Sequence, residues 1–123
     1  GTDGQAARSF DNMTIAPNGV VMVQEDGGAN AYLSKIWKVK PTNPPKVQQV
    51  ATASPVYFSS GGANFLTLTE ELSGIIDVTP LVKPAKWFQA GRRYYLADIM
   101  DHSSESDPEL VQGGQLYLLS GPP

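Results

Sequence analysis

The chain repeats itself, and that repetition constrains its fold more than any other feature. Met13-Thr14-Ile15-Ala16-Pro17, Val20-Val21-Met22-Val23-Gln24-Glu25-Asp26 and Lys35-Ile36-Trp37-Lys38-Val39 form one series of short apolar runs. Ile75-Ile76-Asp77-Val78-Thr79-Pro80, Tyr94-Tyr95-Leu96-Ala97-Asp98-Ile99-Met100-Asp101 and Gln115-Leu116-Tyr117-Leu118-Leu119 form a second series in the same order. Pro17 and Pro80 end the first run of each series, and acids end each second run. The repeat distance is about 60 to 80 residues, longer than the roughly 40 to 50 of common propeller repeats, with the excess in loops. A duplicated series of short strands predicts an all-β chain of two antiparallel, four-stranded-type blades of a β-propeller. Two blades do not close a ring, so closure requires oligomerisation or further blades.

Local signals divide the chain accordingly. Residues 1–9 are small and polar and read as a flexible N-terminal segment. Residues 10–54 read as a first meander, with strands over Asp11–Pro17, Val20–Gln24, Tyr32–Lys40 and Val47–Ala53. Asn18-Gly19 between the first two is a strong hairpin signal, because both turn positions tolerate positive φ. Residues 55–72 are a linker in which Phe65–Thr69 alternates as an outer strand would. Residues 73–123 hold the second meander, with strands over Ser73–Val78, Tyr94–Met100 and Gln115–Ser120 and no evident fourth strand. An open outer edge invites pairing with another chain, so another segment is expected to cover it. Helical character is confined to Thr69–Leu72 and to Thr79–Val82, where Thr79 reads as cap and Pro80 as first-turn residue.

Composition removes several function classes. The net charge of -3 comes from 12 acids and 9 bases, and Arg92-Arg93 is too small a basic footprint for nucleic acid. The absence of cysteine excludes disulfides, thiolate metal sites and cysteine nucleophiles. No run approaches the ~18 apolar residues of a membrane span, and no signal-like segment appears. The chain opens at Gly1 without an initiator methionine, which reads as a processed end or a tag remnant.

The remaining chemistry lies in acids at strand ends. Asp98, Asp101 and His102, the sole histidine, end one strand, with Asp98 and His102 on one face and Asp101 on the other. One histidine among carboxylates suits a hard cation such as Ca²⁺; a solvated strand end is the alternative. Glu25 and Asp26 end the corresponding strand of the first series. Carboxylates at equivalent strand ends either converge around a propeller axis or form a charged turn before Gly27-Gly28. Asp11-Asn12 either contributes a ligand or bends its strand, and Glu70-Glu71 is a further acidic pair on a loop. Any metal site is expected to use oxygens of Glu25, Asp26, Asp98 or Asp101 and to prefer Ca²⁺ over Zn²⁺. No Gly-x-Ser-x-Gly elbow, EF-hand loop, His-Glu-x-x-His helix or phosphate-cradling glycine loop is present.

Phe10-Asp11-Asn12-Met13-Thr14-Ile15-Ala16-Pro17-Asn18-Gly19, followed by Val20 through Gly27, resembles a blade signature of the PhoX-type alkaline phosphatases and their phytase-like propeller relatives. Glu71 through Val78, Tyr95 through His102 and Glu109 through Leu116 resemble the C-terminal blades of that family. The resemblance implies a Ca²⁺-dependent phosphoesterase whose complete form is a closed propeller, with iron also in the catalytic centre and a periplasmic or secreted location. It makes Glu25 the foremost metal ligand, with Asp11 and Asp26 after it. The alternative function is a non-catalytic assembly module that keeps the fold without the site. Either way, two blades leave apolar faces uncovered, so self-association is expected. Three copies restore a six-bladed ring, and a homodimer is the simpler arrangement.

Overall fold

A computed structural model describes residues 6–29, 32–103, 106–107, 109–110 and 112–123. Strands β1 (Phe10–Ile15), β2 (Val21–Glu25), β3 (Lys35–Lys40) and β4 (Lys46–Thr52) form a four-stranded antiparallel meander. Strands β5 (Glu71–Asp77), β6 (Arg93–Asp101) and β7 (Gly113–Gly121) form a second meander. Single helical turns α1 (Pro55–Phe58) and α2 (Thr79–Val82) lie in connections. No helix among the described residues is long and apolar enough to cross a membrane. The two apolar series therefore occupy β1-β2-β3 and β5-β6-β7, corresponding strands of two sheets.

The Asn18-Gly19 hairpin forms as expected. Gly19 sits at φ 79°, Ala16 N–H donates to the Val20 carbonyl at 2.8 Å, and Ile15 pairs with Val21. The sheets pack face to face. Val20, Met22 and Ile36 of the first side meet Leu72, Ile75, Tyr95 and Ala97 of the second in one buried cluster. The sheets touch most closely where β5 lies against β1 and β2, and an antiparallel bridge pairs Asp26 with Glu71 there. Toward β4 and β7 a cleft of about 570 Å³ opens between them.

Alternation then dictates what the other faces carry. Ile15, Val21, Val39 and Val47 stand in register across all four strands of the first sheet, on the face opposite Met22 and Ile36. Ile15 is 60% and Val47 55% exposed. In the second sheet Ile76, Leu96 and Leu118 form the equivalent row, with Ile76 55% exposed. Each sheet thus has one apolar face buried against the other and an outer face that is open along these rows but closed at Glu25, Lys35 and Trp37 in the first sheet and at Tyr94 in the second.

Several local expectations are corrected. The second sheet has three described strands, not the four of the first. The third strand begins at Lys35 rather than Tyr32, because the Ser34 carbonyl is held by the Ala53 N–H at 2.8 Å and by Thr52 Oγ1. Phe65–Thr69 is not a strand: it folds back on α1, with Leu66 N–H donating to the Tyr57 carbonyl at 2.7 Å. The helical turn expected over Thr69–Leu72 is absent because Glu71 and Leu72 already belong to β5. A turn forms instead at α1, where Ser54 caps Val56 N–H. At α2 the N-cap is Val78 and no side chain caps the turn. Thr79 Oγ1 is occupied otherwise, accepting from Tyr94 N–H at 2.9 Å. Within the N-terminal segment, Arg8 N–H donates to Glu25 at 2.8 Å and the Ser9 carbonyl accepts from Asp26 N–H.

Candidate functional site at the junction of the two sheets

The ends of β2 and β6 and the starts of β3 and β5 share one end of the stack, and most of the buried charge gathers there. Glu25, at 2% exposure, accepts from Arg8 N–H and from the Trp37 indole N–H at 2.7 Å through one oxygen. Its other oxygen accepts from Lys35 N–H at 3.0 Å and faces Lys35 Nζ at 3.8 Å. Lys35 Nζ also donates to the Leu33 carbonyl. A carboxylate taken out of water is tolerable only when so fully compensated.

Glu70 is the second buried acid. Its carboxylate accepts from Ser34 N–H at 2.9 Å, and its carbonyl from Ser34 Oγ. Burial pushes the Glu70 carboxyl above its ordinary range, against the opposing pull of the Ser34 hydrogen bonds and the Lys35 charge. Ser34 and Glu70 thereby tie the start of β3 to the start of β5. Next to them, Glu71 meets His102 Nε2 at 3.2 Å.

The expected metal-site residues divide. Glu25, Asp26, Asp101 and His102 do reach this end of the stack, but each turns to a separate partner. Asp26 Oδ1 accepts from Gly28 N–H, Asp101 accepts from both the N–H and the hydroxyl of Ser103, and His102 faces Glu71. Asp11 is exposed on β1 beside Asn12, which donates to it. Asp98 lies in register with Gly74 and Leu116 on the open face of the second sheet. Among the described residues no group of three or more His, Asp or Glu is arranged to hold a metal ion. The Lys35 ammonium beside Glu25 further opposes a cation at that carboxylate. Among the described residues these donors are therefore not gathered into a Ca²⁺ or iron shell. Sequence patterns name Glu70 only as half of an acidic pair and do not single out Ser34 or Lys35. Their signal was a polar pair and an acidic pair placed directly before two apolar strands.

The second concave feature is the cleft between β4 and β7, walled by Ile36, Phe58, Leu72 and Leu119 with Asp101, Gln115 and Tyr117 as polar groups. Burial raises the Tyr117 phenol, the Asp98 charge adds to this, and Gln24 opposes it. Gln24 is fully buried in the core, and neither of its amide atoms completes a hydrogen bond. Its influence on Tyr117 is therefore one of proximity rather than of a formed bond. Among the described residues of these regions Ser103 Oγ donates to Asp101, and His102 faces Glu71 rather than a hydroxyl. No family model matches the chain, and no curated protein or solved structure matches it.

Proposed function

We propose that the chain is a two-blade β-propeller unit whose role is assembly: its open sheet faces stack against further blades supplied by copies of itself. One observation carries this reading. The rows Ile15-Val21-Val39-Val47, exposed at Ile15 and Val47, and Ile76-Leu96-Leu118, exposed throughout, form on the outer faces of both sheets, and apolar patches of that kind mark interaction surfaces. Stacking the outer face of one copy's first sheet on the outer face of the next copy's second sheet is head-to-tail, and such contacts close into a ring when the rotation permits. Three copies give six blades.

On the resemblance to PhoX-type phosphatases, the ancestral activity of this unit is read as a phosphoesterase with Ca²⁺ and iron. Ligands for such a centre would have to come from other blades, since Glu25 is engaged by Trp37, Arg8 and Lys35. The unit is accordingly read as scaffold rather than as catalyst.

The test uses two variants. Met13→Lys with Ile15→Lys disables the first open face, and Ile76→Lys with Leu96→Lys disables the second. Each variant alone is expected to be monomeric, and an equimolar mixture is expected to give a one-to-one pair through the two intact faces. A mixture that stays monomeric while the native chain associates would defeat head-to-tail stacking. Circular dichroism matching the native spectrum confirms that each variant folds.

A further inference from the structure

The two ends of the sheet stack differ in charge. Glu25, Asp26, Glu70, Glu71 and Asp101 lie at the end where Asp26 bridges to Glu71. The opposite end gathers the end of β3, the starts of β4 and β6 and the end of β7. Lys40 and Lys46 face each other there across β3 and β4, and the Lys38 ammonium donates to the Pro122 carbonyl just beyond β7 at 2.9 Å. Lys83, Lys86, Arg92 and Arg93 follow in the passage from α2 into β6, and no acid occurs from Val78 to Ala97. Asp77 is the one acid at this end among the described residues, and Arg93 pairs with it at 3.1 Å. Lys40, Lys46, Lys83 and Lys86 are exposed, and among the described residues none of them has an acid partner.

The connection from α2 to β6 adds apolar reach to that charge. Leu81 is 77% and Trp87 54% exposed, one on each side of Lys83 and Lys86. The connection is nevertheless pinned: Trp87 packs on the Tyr94 ring at 5.6 Å, and Gln89 N–H donates to the Tyr94 hydroxyl at 2.9 Å. We propose that this end of the stack docks on the surface of an anionic bilayer, with Lys83 and Lys86 against the lipid headgroups and Trp87 and Leu81 entering the interface beneath them. Charge complementarity selects that occupant, since an anionic leaflet attracts lysines that come within a Debye length of it. Lys40 and Lys46 extend the same positive field. The apolar pair selects it further. Tryptophan is favoured at headgroup level, and an aliphatic side chain as open as Leu81 suits acyl chains, whereas single-stranded nucleic acid is held by aromatic stacking. The chain lies on such a surface rather than crossing it. The site uses strand ends and a connection, not the rows of Ile15 and Ile76, so it does not rest on face stacking.

The test mixes the full chain with phosphatidylcholine vesicles, with and without phosphatidylglycerol, and follows co-sedimentation and tryptophan emission. Binding to the anionic vesicles alone is expected, weakening as salt is raised and accompanied by a blue shift. Trp37 is buried already, so the shift reports Trp87. Lys83→Glu together with Lys86→Glu is expected to lower vesicle affinity by at least about tenfold, and Leu81→Ser to lower it by a smaller factor through lost apolar insertion. Both variants alter exposed side chains, and circular dichroism matching the native spectrum confirms that they fold. Absence of binding to the anionic vesicles would overturn the proposal. So would binding that the double lysine variant leaves unchanged, or binding without a shift in emission. A single-stranded oligonucleotide that binds more tightly than the vesicles at equal phosphate concentration would assign the surface to nucleic acid and overturn it as well.

Discussion

The Trp37 indole N–H donates to Glu25 at 2.7 Å within the first sheet, and both residues are buried. That contact makes Glu25 a structural acceptor, held by Arg8 and Lys35 as well. Glu25→Ala strands the Lys35 ammonium and the indole donor in a buried site, and the expected loss is about 3 to 5 kcal/mol. Glu25→Gln keeps an acceptor for Trp37 but removes the charge facing Lys35, so a smaller loss of about 1 to 3 kcal/mol is expected. Urea unfolding followed by tryptophan fluorescence measures both. A stable Glu25→Ala variant would mean the carboxylate is dispensable to the fold.

Glu70 gives a pH signature. Burial is the largest influence on it and raises its carboxyl above the ordinary range. The folded pKa therefore exceeds the unfolded one. The corresponding stability is fully present below the unfolded pKa and is lost as pH rises through the folded pKa. Glu70→Gln retains an oxygen for Ser34 N–H and cannot ionise. It is expected to melt higher than the native chain at pH 7, with the advantage disappearing as pH falls below about 4.5. A native chain that melts higher at pH 7 would show that attraction to Lys35 outweighs burial.

Two adjacent glycines are expected to behave differently. A Cβ at Gly62 would run into the carbonyl oxygens of Pro55 and Val56, whereas one at Gly61 meets nothing within 4 Å. Gly62→Ala is therefore expected to destabilise by about 1 to 3 kcal/mol through forced backbone movement, and Gly61→Ala to stay within about 0.5 kcal/mol of native. Equal melting temperatures for the two variants would contradict the close approach of Gly62 to α1.

That same connection marks where sequence patterns stopped being informative. The Asn18-Gly19 hairpin was legible because its geometry is set by the turn residues themselves. The strands were legible because their alternation is local as well. Phe65–Thr69 alternates like a strand but folds back on α1, while α1 depends on the Ser54 cap and on Gly62 fitting beneath it. Neither feature is visible in periodicity. The acids show the same division. Their positions at strand ends could be read from the chain, but the partners that decide their chemistry lie far away in sequence. Trp37 and Arg8 reach Glu25, Ser34 reaches Glu70, and Glu71 reaches His102 only once the sheets are stacked.

The most direct test of a two-blade assembly unit is its mass in solution. Multi-angle light scattering on the native chain at micromolar concentration is expected to give about 40 kDa, three copies of the 13.2 kDa chain closing a ring, with the dimer as the lesser arrangement that still covers apolar faces. A monodisperse species at 13.2 kDa would show that the rows headed by Ile15 and Ile76 stay in water, and would contradict the assembly role.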